Sequence, residues 1–99
     1  MNSQLSGEWN VDDVDGIAFS KGSVVYKFTP TDDTHGNYTL TDAGPPVKTE
    51  TGMYALTNES KITLTSSTNK VVELIVVTRS NTYMSLQTMG GAIEDISKK

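Results

Sequence analysis

Any proton-relay chemistry in this 99-residue chain must begin at His35, its one histidine. A serine–histidine–acid scheme needs the imidazole held between a nucleophile and a carboxylate. His35 falls in the run Asp32-Asp33-Thr34-His35-Gly36, which reads as a hairpin tip and is a poor place to hold a base rigid, so no catalytic residue is assigned. The run Asp12, Asp13, Asp15, Gly16 invites a calcium reading, because hard cations take several carboxylates from a turn containing glycine. Placing Asp13 and Asp15 at the third and fifth positions of an EF-type loop puts Val11 first and Gly22 twelfth, so both essential acidic ligands fail. A solvated acidic turn accounts for the run, the tip at Asp32 to Gly36 is read the same way, and no metal site is expected.

The side chains that could hold a ligand are apolar. Trp9, Tyr26, Phe28, Tyr38, Tyr54, Met84 and Leu86 fall on inward positions of successive segments and could line a pocket for a small apolar molecule, or pack as plain core. Trp9 is the only tryptophan, and either floors such a pocket or anchors the core with its N–H bonded to a carbonyl. Glu73 interrupts an apolar run, and alternation against Leu74 turns it toward solvent or an edge. Gly22 and Gly36 belong to no phosphate-cradling motif, and Gly90-Gly91 reads as a hinge before the tail.

The elements that position these residues are strands. Blocks rich in Thr, Val, Ile and Tyr alternate apolar and polar residues with period two. Glu8 to Val14 puts Trp9 and Val11 on one face, Val24 to Thr29 groups Val24, Tyr26 and Phe28, and Asn37 to Thr41 groups Tyr38 and Leu40. Lys48 to Thr57 sets Gly52, Tyr54 and Leu56 against Met53 and Ala55. Lys61 to Ser66, Val71 to Thr78 and Tyr83 to Thr88 complete the set, with Ile75 and Val77 on the outer side of the second. Turn residues separate the blocks at Lys21-Gly22, Asp32 to Gly36, Ala43-Gly44-Pro45-Pro46, Thr57-Asn58-Glu59-Ser60, Ser67-Thr68-Asn69 and Ser80-Asn81. Short connections imply hairpins, and a series of hairpins gives an antiparallel up-and-down meander. About eight short strands would close into a small barrel, which removes exposed edges and has a filled interior as its default. The tail, Ala92 to Ile96, suits one helical turn or a last edge strand equally.

Composition narrows the functional classes. A formal net charge of -4 with scattered Lys and Arg disfavours nucleic acid and anionic membranes as partners. No run approaches the roughly 18 apolar residues of a membrane span. The absence of cysteine excludes disulfides and thiolate chemistry but suits a reducing cytosol and a bacterial envelope alike.

The motifs resemble those of the small bacterial lipocalin-like domains of the calycin type over about residues 5 to 88. Leu5-Ser6-Gly7-Glu8-Trp9 is similar to their opening L-x-G-x-W, and Tyr26-Lys27-Phe28 to their early Y-x-F strand. Gly52 to Leu56, then Asn58 and Lys61 to Thr65, is similar to their central hairpin. The resemblance implies a lipocalin-like barrel over 5–89 with Trp9 plugging one end, a disordered stretch over 1–4 and a tail over 90–99. It implies no cofactor, no catalysis, no membrane insertion, and a small hydrophobic ligand as partner. A filled structural or protein-interaction domain, including a homodimer through Met53, Ile75 and Val77, is the alternative. Met1-Asn2-Ser3-Gln4 lacks a basic, apolar leader, so the chain is expected to be cytoplasmic or a mature form that lost one; the resemblance favours an exported or envelope location.

Overall fold

The period-2 pattern becomes a closed barrel in the computed structural model, which describes residues 2–44, 46–58 and 60–99. Expectations placed on Met1, Pro45 and Glu59 lie outside these described residues. One helical turn, α1 (Asn2–Leu5), precedes β1 (Gly7–Val14), β2 (Ile17–Ala18), β3 (Val24–Pro30), β4 (His35–Asp42) and β5 (Lys48–Thr57). Then come β6 (Lys61–Ser66), β7 (Val71–Arg79), β8 (Tyr83–Thr88) and β9 (Ile93–Lys98). All pairings are antiparallel, and β9 returns to β1, so eight strands close while β2 only borders β1.

Two boundaries differ from the sequence reading. Residues 2–4, expected to be disordered, join Leu5 in a helical turn, because Leu5 is fully buried and Asn2 is 6% exposed beneath the barrel. The tail beyond residue 90 is no appendage. Its Ile96 is buried opposite Val11 and Met84, and pairing on both sides makes β9 the strand that closes the sheet. The short β2 follows from Asp15-Gly16, whose φ values of 51° and 80° give the two-residue turn with positive φ at both positions that suits hairpins. In β7 the ladder skips Val77 between Val76 and Thr78, a bulge that leaves Val77 exposed.

The inward faces make one core of Leu5, Trp9, Val11, Tyr26, Phe28, Tyr38, Tyr54, Ile62, Leu64, Leu74, Met84, Leu86 and Ile96. Burying each large side chain contributes about 1.5–3 kcal/mol. A repeated Gly-x-Tyr lets so small a barrel curve. Gly36-Asn37-Tyr38 and Gly52-Met53-Tyr54 run antiparallel in a register that puts Gly36 opposite Tyr54 and Tyr38 opposite Gly52. Each ring covers the facing glycine, and a Cβ on Gly36 would lie within 2.5 Å of both the Tyr54 ring and the Thr29 carbonyl oxygen.

Strand direction gives the barrel two unlike ends. The chain passes β3 to β4, β5 to β6 and β7 to β8 at the end that carries α1. At the other end lie the connections 15–23, 43–47, 67–70 and 89–92.

Candidate functional site at the open end

The α1 end is sealed. Trp9 is fully buried and its Nε1–H donates to the Leu5 carbonyl at 2.8 Å, while Lys98 lays its ammonium 4.8 Å from the indole centroid and donates to the Ser6 carbonyl. Asn2 donates to the Asp32 carbonyl at 2.6 Å and accepts from the Tyr54 hydroxyl at 2.6 Å. The Asn2 side chain carried under the barrel thus has both a donor and an acceptor partner, and the plug is fixed to β1, β5 and β9.

From this plug an aromatic column runs through the interior. Phe28 meets Tyr54 edge-on at 5.3 Å and stacks on Tyr26 at 5.4 Å, both favourable ring geometries. The Tyr26 hydroxyl then donates to Glu94 at 3.3 Å, and beside it Tyr38 donates to Glu50 at 2.7 Å. Alternation along β5 and β9 turns Glu50 and Glu94 inward, with Gly52 and Tyr54 and with Ile96 respectively. Burial pushes the Glu94 carboxyl above its ordinary range, only partly offset by the Tyr26 hydrogen bond. Burial, then the neighbouring Glu94 charge, pushes the Tyr26 phenol up; burial and Glu50 do the same to Tyr38. Both phenols therefore stay neutral donors. Among the described residues no cation pairs with Glu50 or Glu94.

Around and above these carboxylates the inward side chains are only half-buried. Val14, Phe19, Val24, Leu40 and Val72 pack on the core without being covered. The 15–23 segment arches over the opening, held by Phe19 N–H donating to the Asp12 carbonyl at 2.8 Å. It borders an open depression of about 370 Å³ lined by Ala18, Phe19, Ser20, Ser23, Val24 and Asp42, which Glu50 and Glu94 do not line. The rim is apolar as well. Ile17, Val47, Val71 and Met89 are 69, 69, 60 and 74% exposed, and one belongs to each open-end connection or its first paired residue. A wider groove of about 510 Å³ crosses the outside of β4 to β6, walled by neutral residues such as Asn37, Thr39, Thr51 and Thr65. It offers Met53 as its exposed apolar contact and is separated from the interior by the sheet. The open-end depression adjoins the core, so it has the stronger claim as a site.

All seven residues singled out as ligand contacts, Trp9, Tyr26, Phe28, Tyr38, Tyr54, Met84 and Leu86, lie together in the interior, none more than 5% exposed. Only Tyr26 and Tyr38 reach the inward carboxylates. Glu50 and Glu94 escaped sequence reading; the signal was there in the alternation that puts Glu50 in phase with Gly52 and Tyr54. His35 sits at the exposed tip, and Thr34 and Asp32 both approach the same nitrogen, Nδ1, at 2.9 and 3.1 Å. A relay needs the nucleophile and the orienting acid on opposite nitrogens, so this trio is a turn fastening, not a triad. The acidic run is spent on closing the barrel, with Asp12 accepting from Ser97 at 3.0 Å and Asp15 from the Ile93 N–H at 2.9 Å. Glu73 faces outward and pairs with Lys61 at 3.0 Å.

An eight-stranded antiparallel barrel, plugged at one end by the tryptophan of its first strand and half-open at the other, is a lipocalin-like fold. Comparison with solved structures bears this out. A lipocalin-like protein from Bacteroides uniformis superposes with a TM-score of 0.76 at 17% identity, covering 97% of this chain and 99% of that one. Ex-FABP, a siderocalin that functions through dual ligand specificities, superposes with a TM-score of 0.68 at 10% identity, covering 97% of this chain and 74% of that one. No family model matches the sequence, and no curated protein is significantly similar to it.

Proposed function

We propose that this chain is a non-catalytic binding module that takes up a small hydrophobic or amphipathic ligand at the open end of its barrel. The observation that carries the reading is the unlike polarity of the two ends. The sequences of the closed-end connections, 31–34, 58–60 and 80–82, are wholly polar, whereas three of the four open-end connections expose an apolar side chain, Ile17, Val47 and Met89, and the fourth, the polar 67–70, leads into the exposed Val71. Exposed apolar side chains gathered at one opening mark a place where something apolar is bound. The shared fold with Ex-FABP supports the reading by analogy alone. The interior near Trp9 is occupied, so the ligand rests on Tyr26, Tyr38 and the half-buried ring above them rather than on the indole. Titration with the neutral fluorophore N-phenyl-1-naphthylamine tests this: saturable enhancement that Leu40→Gln abolishes supports it, and absence of enhancement counts against it.

The outward Ile75 and Val77, 43 and 56% exposed on β7, favour a second reading as a contact surface for another protein or a second copy. Sedimentation showing only monomer at all concentrations would remove the self-association form of that reading.

A further inference from the structure

We infer that the open end docks on the surface of an anionic phospholipid bilayer, with the tips of its connections in the acyl boundary and three lysines against the headgroup phosphates. Only the rim is involved, not the barrel interior, so this docking and the binding of a small ligand can fail independently.

Two separate features of the rim point to such a surface. Ile17, Val47 and Met89 are the three most exposed large apolar side chains among the described residues, and each sits on a different open-end connection. Val71 stands at the end of the remaining one, 67–70. The second feature is charge. The eight basic residues are scattered along the sequence, which by itself disfavours an anionic partner, but folding brings three of them to this end. Lys21 shares the 15–23 connection with Ile17, Lys48 directly follows Val47, and Lys70 directly precedes Val71. All three are exposed, and among the described residues none pairs with an acid. The acids in or beside these connections are Asp15 and Asp42, and backbone holds both: Asp15 accepts from the Ile93 N–H at 2.9 Å and Asp42 from the Gly44 N–H at 3.0 Å. Farther down the outer wall Asp13 faces Asp95 across the ladder, Asp12 accepts from Ser97, and Asp95 accepts from Tyr83 and Ser85.

Apolar tips interleaved with lysines match the two layers of a bilayer interface. Ile17 or Met89 leaves water for the acyl boundary, while a lysine lays its stem along that boundary and keeps its ammonium at the phosphates. Each lysine close to an anionic surface contributes about fivefold in affinity, and three together on the order of a hundredfold at low salt. The tips surround the mouth instead of forming one patch, because their connections join alternate strand pairs around the closed sheet. A fluid bilayer takes in separate tips at once, whereas a protein partner would need a matching socket for each. A nucleic-acid backbone would use the lysines and leave the apolar tips in water. The net charge of -4 lies over the rest of the surface and favours approach by the lysine-bearing end.

Co-sedimentation of the full chain with sucrose-loaded vesicles at low salt tests the inference, using phosphatidylcholine alone and phosphatidylcholine mixed with phosphatidylglycerol. The chain should pellet with the mixed vesicles and far less with phosphatidylcholine alone, and added salt should release it. Lys21→Gln, Lys48→Gln and Lys70→Gln together should weaken binding to mixed vesicles on the order of a hundredfold. Ile17→Ser with Met89→Ser should weaken it at least about tenfold through the apolar area lost. Met53→Ser, at a side chain 63% exposed on the outer wall, should change nothing. Thermal melts check that each variant folds. No binding to mixed vesicles, or binding that either rim variant leaves intact, overturns the inference. So does a dimer that Ile17→Ser with Met89→Ser disperses while vesicles go unbound, which assigns the rim to a second copy. Uptake of N-phenyl-1-naphthylamine without vesicle binding overturns this inference alone, and vesicle binding without uptake overturns the small-ligand reading alone.

Discussion

Replacing Gly52 by alanine should damage this barrel more than any other single methyl group added to a strand. An ideal Cβ on Gly52 runs into the Thr65 carbonyl oxygen and comes within 2.8 Å of Ser66 Cα and of the Tyr38 ring. Two of these three obstacles are backbone of β6, fixed by the pairs Gly52 with Ser66 and Met53 with Thr65, so rotating a side chain cannot relieve them. Overpacking of this kind costs up to about 3 kcal/mol. Alanine recovers about 0.5–1 kcal/mol by restricting the unfolded chain, which leaves a net loss of about 2 kcal/mol. For a domain of this size that is a fall in Tm of about 8–16 °C. Gly90→Ala is the control, because its Cβ meets nothing nearer than Thr88 Oγ1 at 3.9 Å, and it should be neutral or slightly stabilising. Urea unfolding followed by Trp9 fluorescence measures both, with an unchanged m-value showing that only stability moved. A Gly52→Ala variant within 0.5 kcal/mol of wild type would refute the close approach of β5 to β6 and the Gly-x-Tyr account of curvature.

Other perturbations read different parts of the structure. Asn10 is 1% exposed, and its Oδ1 has no partner among the described residues, so Asn10→Leu should stabilise by about 1 kcal/mol in the same urea assay. Tyr54→Phe strands the Asn2 acceptor beneath the barrel and should cost about 1–2 kcal/mol, with a double-mutant cycle against Asn2→Ala recovering the coupling. The Glu94 carboxyl is raised in the fold, so the folded state holds more protons, and its contribution to stability is present below the unfolded value and lost as pH rises through the folded one. Glu94→Gln should therefore melt higher than wild type at pH 7, with the difference vanishing near pH 3.5; a difference that grows on acidification would contradict the burial of that carboxylate.

Period-2 alternation made the strands legible because each has one face that must be buried, and β5, β6 and β8 begin and end where the pattern does. The ends of the chain were not legible. Asn2 and Leu5 take their order from partners far along the chain, Asp32 and Tyr54 for one and the barrel floor for the other, and no local pattern encodes such contacts. β9 has a weak alternation, Ile93-Glu94-Asp95-Ile96, because one of its inward positions is the acid Glu94. The same substitution of acid for apolar residue hid the candidate site: aromatic residues announced the core, while the residues that give the mouth its chemistry looked like breaks in it.

The account's central claim is that binding occurs at the open end. Assigned amide and methyl NMR spectra recorded during titration with N-phenyl-1-naphthylamine test it most directly. The account predicts saturable shifts at Phe19, Val24, Leu40, Val72 and the rim residues Ile17, Val47, Val71 and Met89, with the Trp9 indole N–H unmoved. Shifts centred on Trp9 and Leu5, or on Met53 in the outer groove, would contradict it.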